Sequence, residues 1–285
     1  MEKWPIGVFA SVDAGLGIHL PVAHELGIST VQLHAPHGPS RTPKHAEQFL
    51  AEIKNYHITL TAVFGGFDGE SYADIPTVER TVGLVPKATR AARLAEMKEI
   101  ATFAKQLHCH VVALHLGFVP HDRNSADYRE VVAVTQELCD YVAQLGQKLH
   151  LETGQETADA LMQFIDDVQR PNLFVNFDPA NMILYGTGEP IEALERLGKR
   201  VHSVHCKDAK WAKNPGKEWG KEMPLGEGEV DIKKYLMTLK KIGYCGPLTI
   251  EREIPQEPER QKKEIAGAVT LLNQLRHELL DAPVN

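Results

Sequence analysis

The chain has 285 residues and a formal net charge of −7, with 38 acidic against 31 basic side chains. That length supports one large α/β domain with a substantial core, and no Gly/Ser/Pro-rich linker or shift in composition divides it, so a single domain over residues 1–285 is expected. The acidic balance gives no long-range attraction for phosphate backbones or anionic lipid, which argues against nucleic-acid and membrane-surface partners.

Apolar runs with strand character alternate eight times with amphipathic, helix-like stretches. The strands begin near Ile6, Thr30, Ile58, His110, Lys148, Leu173, Val201 and Pro247. The helices are expected over about 18–26, 43–56, 89–107, 125–147, 157–168, 190–197, 231–242 and 258–280. Pro43, Pro190 and Pro258 suit first-turn positions, and Asp231 suits an N-cap. Eight strand–helix units of this length predict a (β/α)8 TIM barrel, with a doubly wound open sheet as the alternative.

Side chains alternate sides along a strand. In KLHLE, Leu149 and Leu151 oppose His150 and Glu152; in LFVNFD, Val175 and Phe177 oppose Asn176 and Asp178. In VHSVHCKD, Val204 and Cys206 oppose Ser203, His205 and Lys207, and in LTIE, Leu248 and Ile250 oppose Thr249 and Glu251. His115 and His34 hold the same inward parity on the fourth and second strands. The intervening helices must cover the apolar faces, so the polar faces point into the barrel. Apolar side chains are expected to fill its lower end, leaving polar groups at the C-terminal strand ends to form a site. Glu152, Asp178, His205 and Glu251 then form a mixed oxygen/nitrogen set. Their crowded negative charge calls for a divalent cation such as Mn²⁺, Mg²⁺, Co²⁺ or Zn²⁺.

Cys109, Cys139, Cys206 and Cys245 are widely spaced with no C-x-x-C pair, which reads as free thiols in a reducing compartment. With no apolar leader in Met-Glu-Lys-Trp-Pro and no run long enough to span a bilayer, a cytoplasmic location is expected. No segment fits a G-x-x-x-x-G-K-[ST] phosphate loop, so no nucleotide cofactor is indicated.

The motifs LETG, NFDPAN, VHCKDA, LGEGEVD and TIERE together resemble the xylose isomerase-like TIM-barrel superfamily. It includes D-tagatose 3-epimerase, hydroxypyruvate isomerase and inosose dehydratase relatives and, more distantly, endonuclease IV. The resemblance covers nearly the whole chain. It implies one divalent ion on Glu152, Asp178, His205 and Glu251, with Glu152 and Glu251 also acting as acid/base groups. The implied activity is a sugar isomerase or epimerase in carbohydrate metabolism, acting on a small ketose, keto-sugar or related polyol derivative. A proton is removed next to a metal-held carbonyl, giving an enediolate that is reprotonated. The same intermediate also allows a lyase or dehydratase acting on a keto-inositol or keto-glycoside. The resemblance further implies self-association through the barrel helices.

His115, His34, Asn181 and Lys207 are candidates for binding substrate. Asn181 stands where many sugar epimerases of the superfamily carry histidine, which leaves the sugar open. Lys207 is expected to pair with a substrate oxygen or with Glu152, or else to form a structural ion pair with a nearby acid. Asp208 has the outward parity, Glu227 lies in a glycine-rich turn, and Gly65–Gly69 reads as a mobile loop over the site. An abasic-site endonuclease is disfavoured: where endonuclease IV carries Asp-x-His before LGEG, this chain has Gly220-Lys221-Glu222-Met223-Pro224. A non-catalytic binding barrel is the remaining alternative.

Overall fold

A computed structural model describes residues 3–13 and 16–280. In chain order its elements are β1 (Ile6–Ala10), α1 (Leu20–Glu25), β2 (Thr30–His34), α2 (Pro43–Asn55), β3 (Thr59–Gly65), α3 (Ile75–Thr81), α4 (Arg90–Gln106), β4 (Val111–Leu114) and α5 (Ala126–Gln144). There follow β5 (Lys148–Glu152), α6 (Ala158–Val168), β6 (Leu173–Phe177), α7 (Pro179–Tyr185), α8 (Pro190–Leu197), β7 (Val201–Cys206), β8 (Asp208–Lys210), β9 (Lys221–Met223), α9 (Ile232–Ile242), β10 (Leu248–Ile250) and α10 (Pro258–Leu280). Eight parallel strands close into a barrel in the order β1-β10-β7-β6-β5-β4-β3-β2, and β8 with β9 forms a separate antiparallel ribbon. The (β/α)8 expectation holds. Among the described residues no helix is long and apolar enough to cross a membrane.

The strand parity explains the layering. Val31, Leu33, Leu149, Leu151, Val175, Phe177, Val204, Leu248 and Ile250 join the main core against the helices, none more than 1% exposed. The inward faces divide into two halves. Phe9, Ala62, Phe64 and Ala113 form an apolar cluster of their own, on β1, β3 and β4. Gln32, His150, Asn176, Ser203, His205 and Thr249 form a buried polar half. The barrel interior is thus not apolar below the site as expected. One layer below Glu152, His150 Nδ1 lies 2.7 Å from Ser203 Oγ.

Helix starts follow side-chain chemistry. Thr42, Ser125, Thr157 and Asp231 each accept a hydrogen bond from a backbone N–H three residues on, as N-caps do. Two short helices lie outside the eight expected, α3 capped by Asp74 and α7 capped by Asp178. The loop after β3 is pinned. Phe67 is buried beneath the Arg93 guanidinium, and Glu70 accepts hydrogen bonds from Phe67 N at 3.1 Å and Gly83 N at 2.7 Å.

Candidate active site

Glu152 ends β5, Asp178 follows β6, His205 lies in β7 and Glu251 follows β10. Their ligand atoms all fall within 4.8 Å of one another, and all four side chains are buried. His205 Nδ1 sits 2.8 Å from Glu152 Oε1, 3.3 Å from Asp178 Oδ2 and 3.3 Å from Glu251 Oε2. Among these residues Nδ1 and Asp178 Oδ2 are fully buried and lack a partner in hydrogen-bond geometry. Two unpartnered buried ligand atoms facing each other fit a cation.

Local sequence aims each ligand. Asp178 Oδ1 accepts from Asn181 N at 2.9 Å as the cap of α7, which turns Oδ2 toward the cluster. Thr153 Oγ1 donates to Asp178 O at 2.9 Å and accepts from Asp178 N at 2.8 Å, locking the strand end. Gly154 lies at φ +152, where a Cβ would meet Asn181 Cβ at 2.9 Å and the Tyr185 ring at 3.0 Å, so LETG needs its glycine. Gln32 supports the histidine from β2: its Nε2 donates to Asn176 Oδ1 at 3.4 Å, and its Oε1 lies 2.7 Å from His205 Nε2. A carbonyl oxygen only accepts, so Nε2 carries the imidazole proton and Nδ1 presents its lone pair.

The field is strong. Burial opposes protonation of His205, but the charges of Glu251 and Glu152 and contact with Asp178 raise its pKa well above the histidine range. A field that favours a proton there also favours a metal cation. Burial, with the Glu251 charge adding to it, raises the carboxyl pKa of Asp178 against the opposing pull of His205 and Lys207. Burial also opposes ionisation of Glu251, yet the His205 and Lys207 charges hold it well below the usual carboxylate range.

A polar ring touches the cluster from above. His115 Nε2 lies 3.0 Å from Glu152 Oε2, and Gln155 Nε2 donates toward His115 Nδ1 at 3.2 Å, which leaves the His115 proton on Nε2. Asn181 Nδ2 donates to Glu152 Oε1 at 3.3 Å. Asn181 therefore takes part in both the helix start and the site. Lys207 Nζ donates to Glu251 Oε2 at 2.9 Å, Glu253 Oε2 at 3.0 Å and Asn181 Oδ1 at 3.4 Å. Its carboxylate partners are thus Glu251 and Glu253, not Glu152, because β10 is the barrel neighbour of β7 while β6 separates β7 from β5.

His115, Asn181 and Lys207 line a cavity of about 250 Å³ with Tyr72, Tyr185 and Trp219, closed at one side by Glu222 and Glu253. Burial pushes the Glu253 carboxyl up to about 7, against the opposing pull of Lys207. His34 does not line this cavity; it lines an adjacent one beside Arg41 and Phe67. Asp208 points away from the site. Its carboxylate accepts from the backbone N–H groups of Ala209, Gly226, Gly228 and Val230, and so shapes the LGEGEV loop. Gln32, Gln155, Tyr185, Trp219, Glu222 and Glu253 were not among the sequence candidates. Gln32 and Glu253 carried a signal, a face shared with His34 and with Glu251 respectively.

The family model described as xylose isomerase-like TIM barrel matches residues 20–273. The xylose isomerase domain protein from Planctomyces limnophilus superposes with a TM-score of 0.97 and 59% identity, covering 98% of this chain and 100% of that one. The D-psicose 3-epimerase from Clostridium cellulolyticum H10, solved with D-tagatose, has a TM-score of 0.70 over 95% of this chain and 99% of that one. At 16% identity this likeness speaks to fold alone. The L-ribulose 3-epimerase of a Methylomonas species is 29% identical over 150 residues, 50% of this chain and 48% of that protein. The chain spans about half the length of the curated relatives it matches. The closed parallel barrel and the match across most of its length lead to one conclusion: this chain belongs to the xylose isomerase-like TIM barrel family.

Proposed function

We propose that the protein is a divalent-metal-dependent epimerase or isomerase of a small ketose or keto-sugar. The observation that carries this reading is the convergence of three carboxylates and one imidazole beneath a cavity edged by hydrogen-bonding side chains. A relative named as an L-ribulose 3-epimerase supports the same class.

Glu152, Asp178, His205 and Glu251 would hold the ion, and their oxygen-rich donor set suits Mn²⁺ or Mg²⁺. Once bound, the ion supplies neutralising charge and Lewis acidity that acidifies a C–H beside a carbonyl. The chain's own residues divide the proton work. Glu251, whose carboxylate is held ionised by the His205 and Lys207 charges, serves as the base. Glu152 approaches from β5, with β6 and β7 between it and β10, and delivers a proton drawn from solvent to the other face, after which Glu251 releases its proton to solvent. The His115 N–H holds Glu152 Oε2 in place. Asn181, Lys207 and His115 orient substrate hydroxyls from the cavity wall.

The test is NMR of free ketoses and keto-sugars in D₂O with Mn²⁺-loaded protein. Deuterium is expected to enter the carbon beside the carbonyl as an epimer or isomer accumulates. E251Q is expected to lower turnover by at least about 100-fold, in the range of a lost acid/base group. Absence of exchange on every sugar tried, with the ion bound, contradicts the reading. A dehydrated product in the same spectra would favour the lyase outcome.

A further inference from the structure

The cavity that His34 lines has a volume of about 320 Å³ and shares one wall residue, Tyr72, with the cavity above the cluster. Each is near or below the low end of ligand sites, about 300 Å³, whereas side by side they suit a larger molecule. The second cavity has the makings of a polar subsite. The Arg41 side chain is only 8% exposed and pairs through Nη2 with Glu96 and, at 4.0 Å, through Nη1 with Glu99 Oε2, while neither Nε nor Nη1 has a hydrogen-bond partner. His34 Nδ1 is likewise buried and unpartnered. A buried polar group without a hydrogen-bond partner is costly, so several around one cavity point to a ligand that draws on them. Phe67 adds an apolar surface.

The charge pattern limits what that ligand is. Arg41 and Lys207 are the lysine and arginine side chains lining the two cavities, and each is already ion-paired, Arg41 with Glu96 and Lys207 with Glu251 and Glu253. The second cavity also carries Asp68 and Glu70. A phosphate there would face an excess of carboxylates with no free cation to meet it. Hydroxyl groups suit the same wall, since they accept from Arg41 and His34 and donate to carboxylates.

We propose that the substrate is an uncharged, two-part carbohydrate. A keto-sugar unit lies at the four-residue cluster, and a second hydroxylated unit, such as a glycosyl group, passes Tyr72 to rest against His34 and Arg41. This rests on the carbohydrate reading above and adds the size and charge of the substrate.

The experiment is calorimetric titration of Mn²⁺-loaded protein with fructose, fructose 6-phosphate, and the glycosyl-fructoses turanose, lactulose and isomaltulose, which differ in linkage. At least one disaccharide is expected to bind about tenfold or more tightly than fructose, and the phosphate no better than fructose. Two variants should abolish the gain and leave fructose binding unchanged. R41M removes the donors. G38V narrows the cavity without deleting a hydrogen bond, since a Cβ at Gly38 would meet nothing nearer than Arg41 Nη2 at 3.8 Å; it keeps the test valid if R41M fails to fold. Equal binding of fructose and every disaccharide, tighter binding of the phosphate, or a gain that survives G38V overturns the proposal. If the loaded protein binds none of these sugars, the carbohydrate reading itself fails.

Discussion

Asp178 uses its two carboxylate oxygens for different tasks. Oδ1 caps α7 and Oδ2 faces the cluster, so the start of a helix fixes the direction of an oxygen of the candidate metal site. Gln32 does similar work for His205 by accepting its Nε2 proton. Q32L should therefore weaken Mn²⁺ binding by about 10–100-fold, as loss of a partner behind a ligand does. Titration calorimetry checks this, and a Q32L protein that folds and binds Mn²⁺ like the parent contradicts it. Glu152, Asp178, His205 and Glu251 were legible because each sits at a strand end with fixed parity. Gln32 was hidden because it lies 173 residues from His205, and only barrel closure joins them. For Lys207 an ion pair with a nearby acid was legible, but not which acid: parity gives the face and not the neighbouring strand.

At the level of elements, the short ones carry the site walls. The β8–β9 ribbon brings Glu222 to the cavity, where Glu222 Oε1 accepts from Arg252 Nη1 at 2.6 Å and Glu253 N at 3.1 Å. Asp208 organises the loop behind it, and Gly228 is required there because a Cβ would come within 2.1 Å of Asp208 Oδ1. D208A should strand those four backbone donors and destabilise the protein by at least about 3 kcal/mol. A denaturant series checks the value, and a loss under 1 kcal/mol, on the scale of a surface substitution, contradicts this role. The long helices and the eight barrel strands were readable from periodicity. The ribbon was not, since β8 resumes one residue after β7 and reads as part of that strand, and α7 was not, since it starts directly after its cap Asp178 inside the strand-end motif NFDPAN.

Across the whole molecule, the half-polar barrel interior links stability to pH. Burial, helped by the nearby His202 and Lys148, lowers the His150 pKa to about 3. The unfolded chain takes up a proton near pH 6.5 and the folded chain does not, so stability present above that pH is lost as pH falls toward 3. H150Q should decline less steeply than the parent between pH 6.5 and 4 in thermal melts, and parallel slopes contradict the assignment. The central claim is simpler: four buried side chains hold one divalent cation. Metal analysis of Mn²⁺-loaded, desalted protein measures it directly. The account predicts one ion per chain in the parent and almost none in D178N, whereas no ion in the parent, or an unchanged content in D178N, contradicts it.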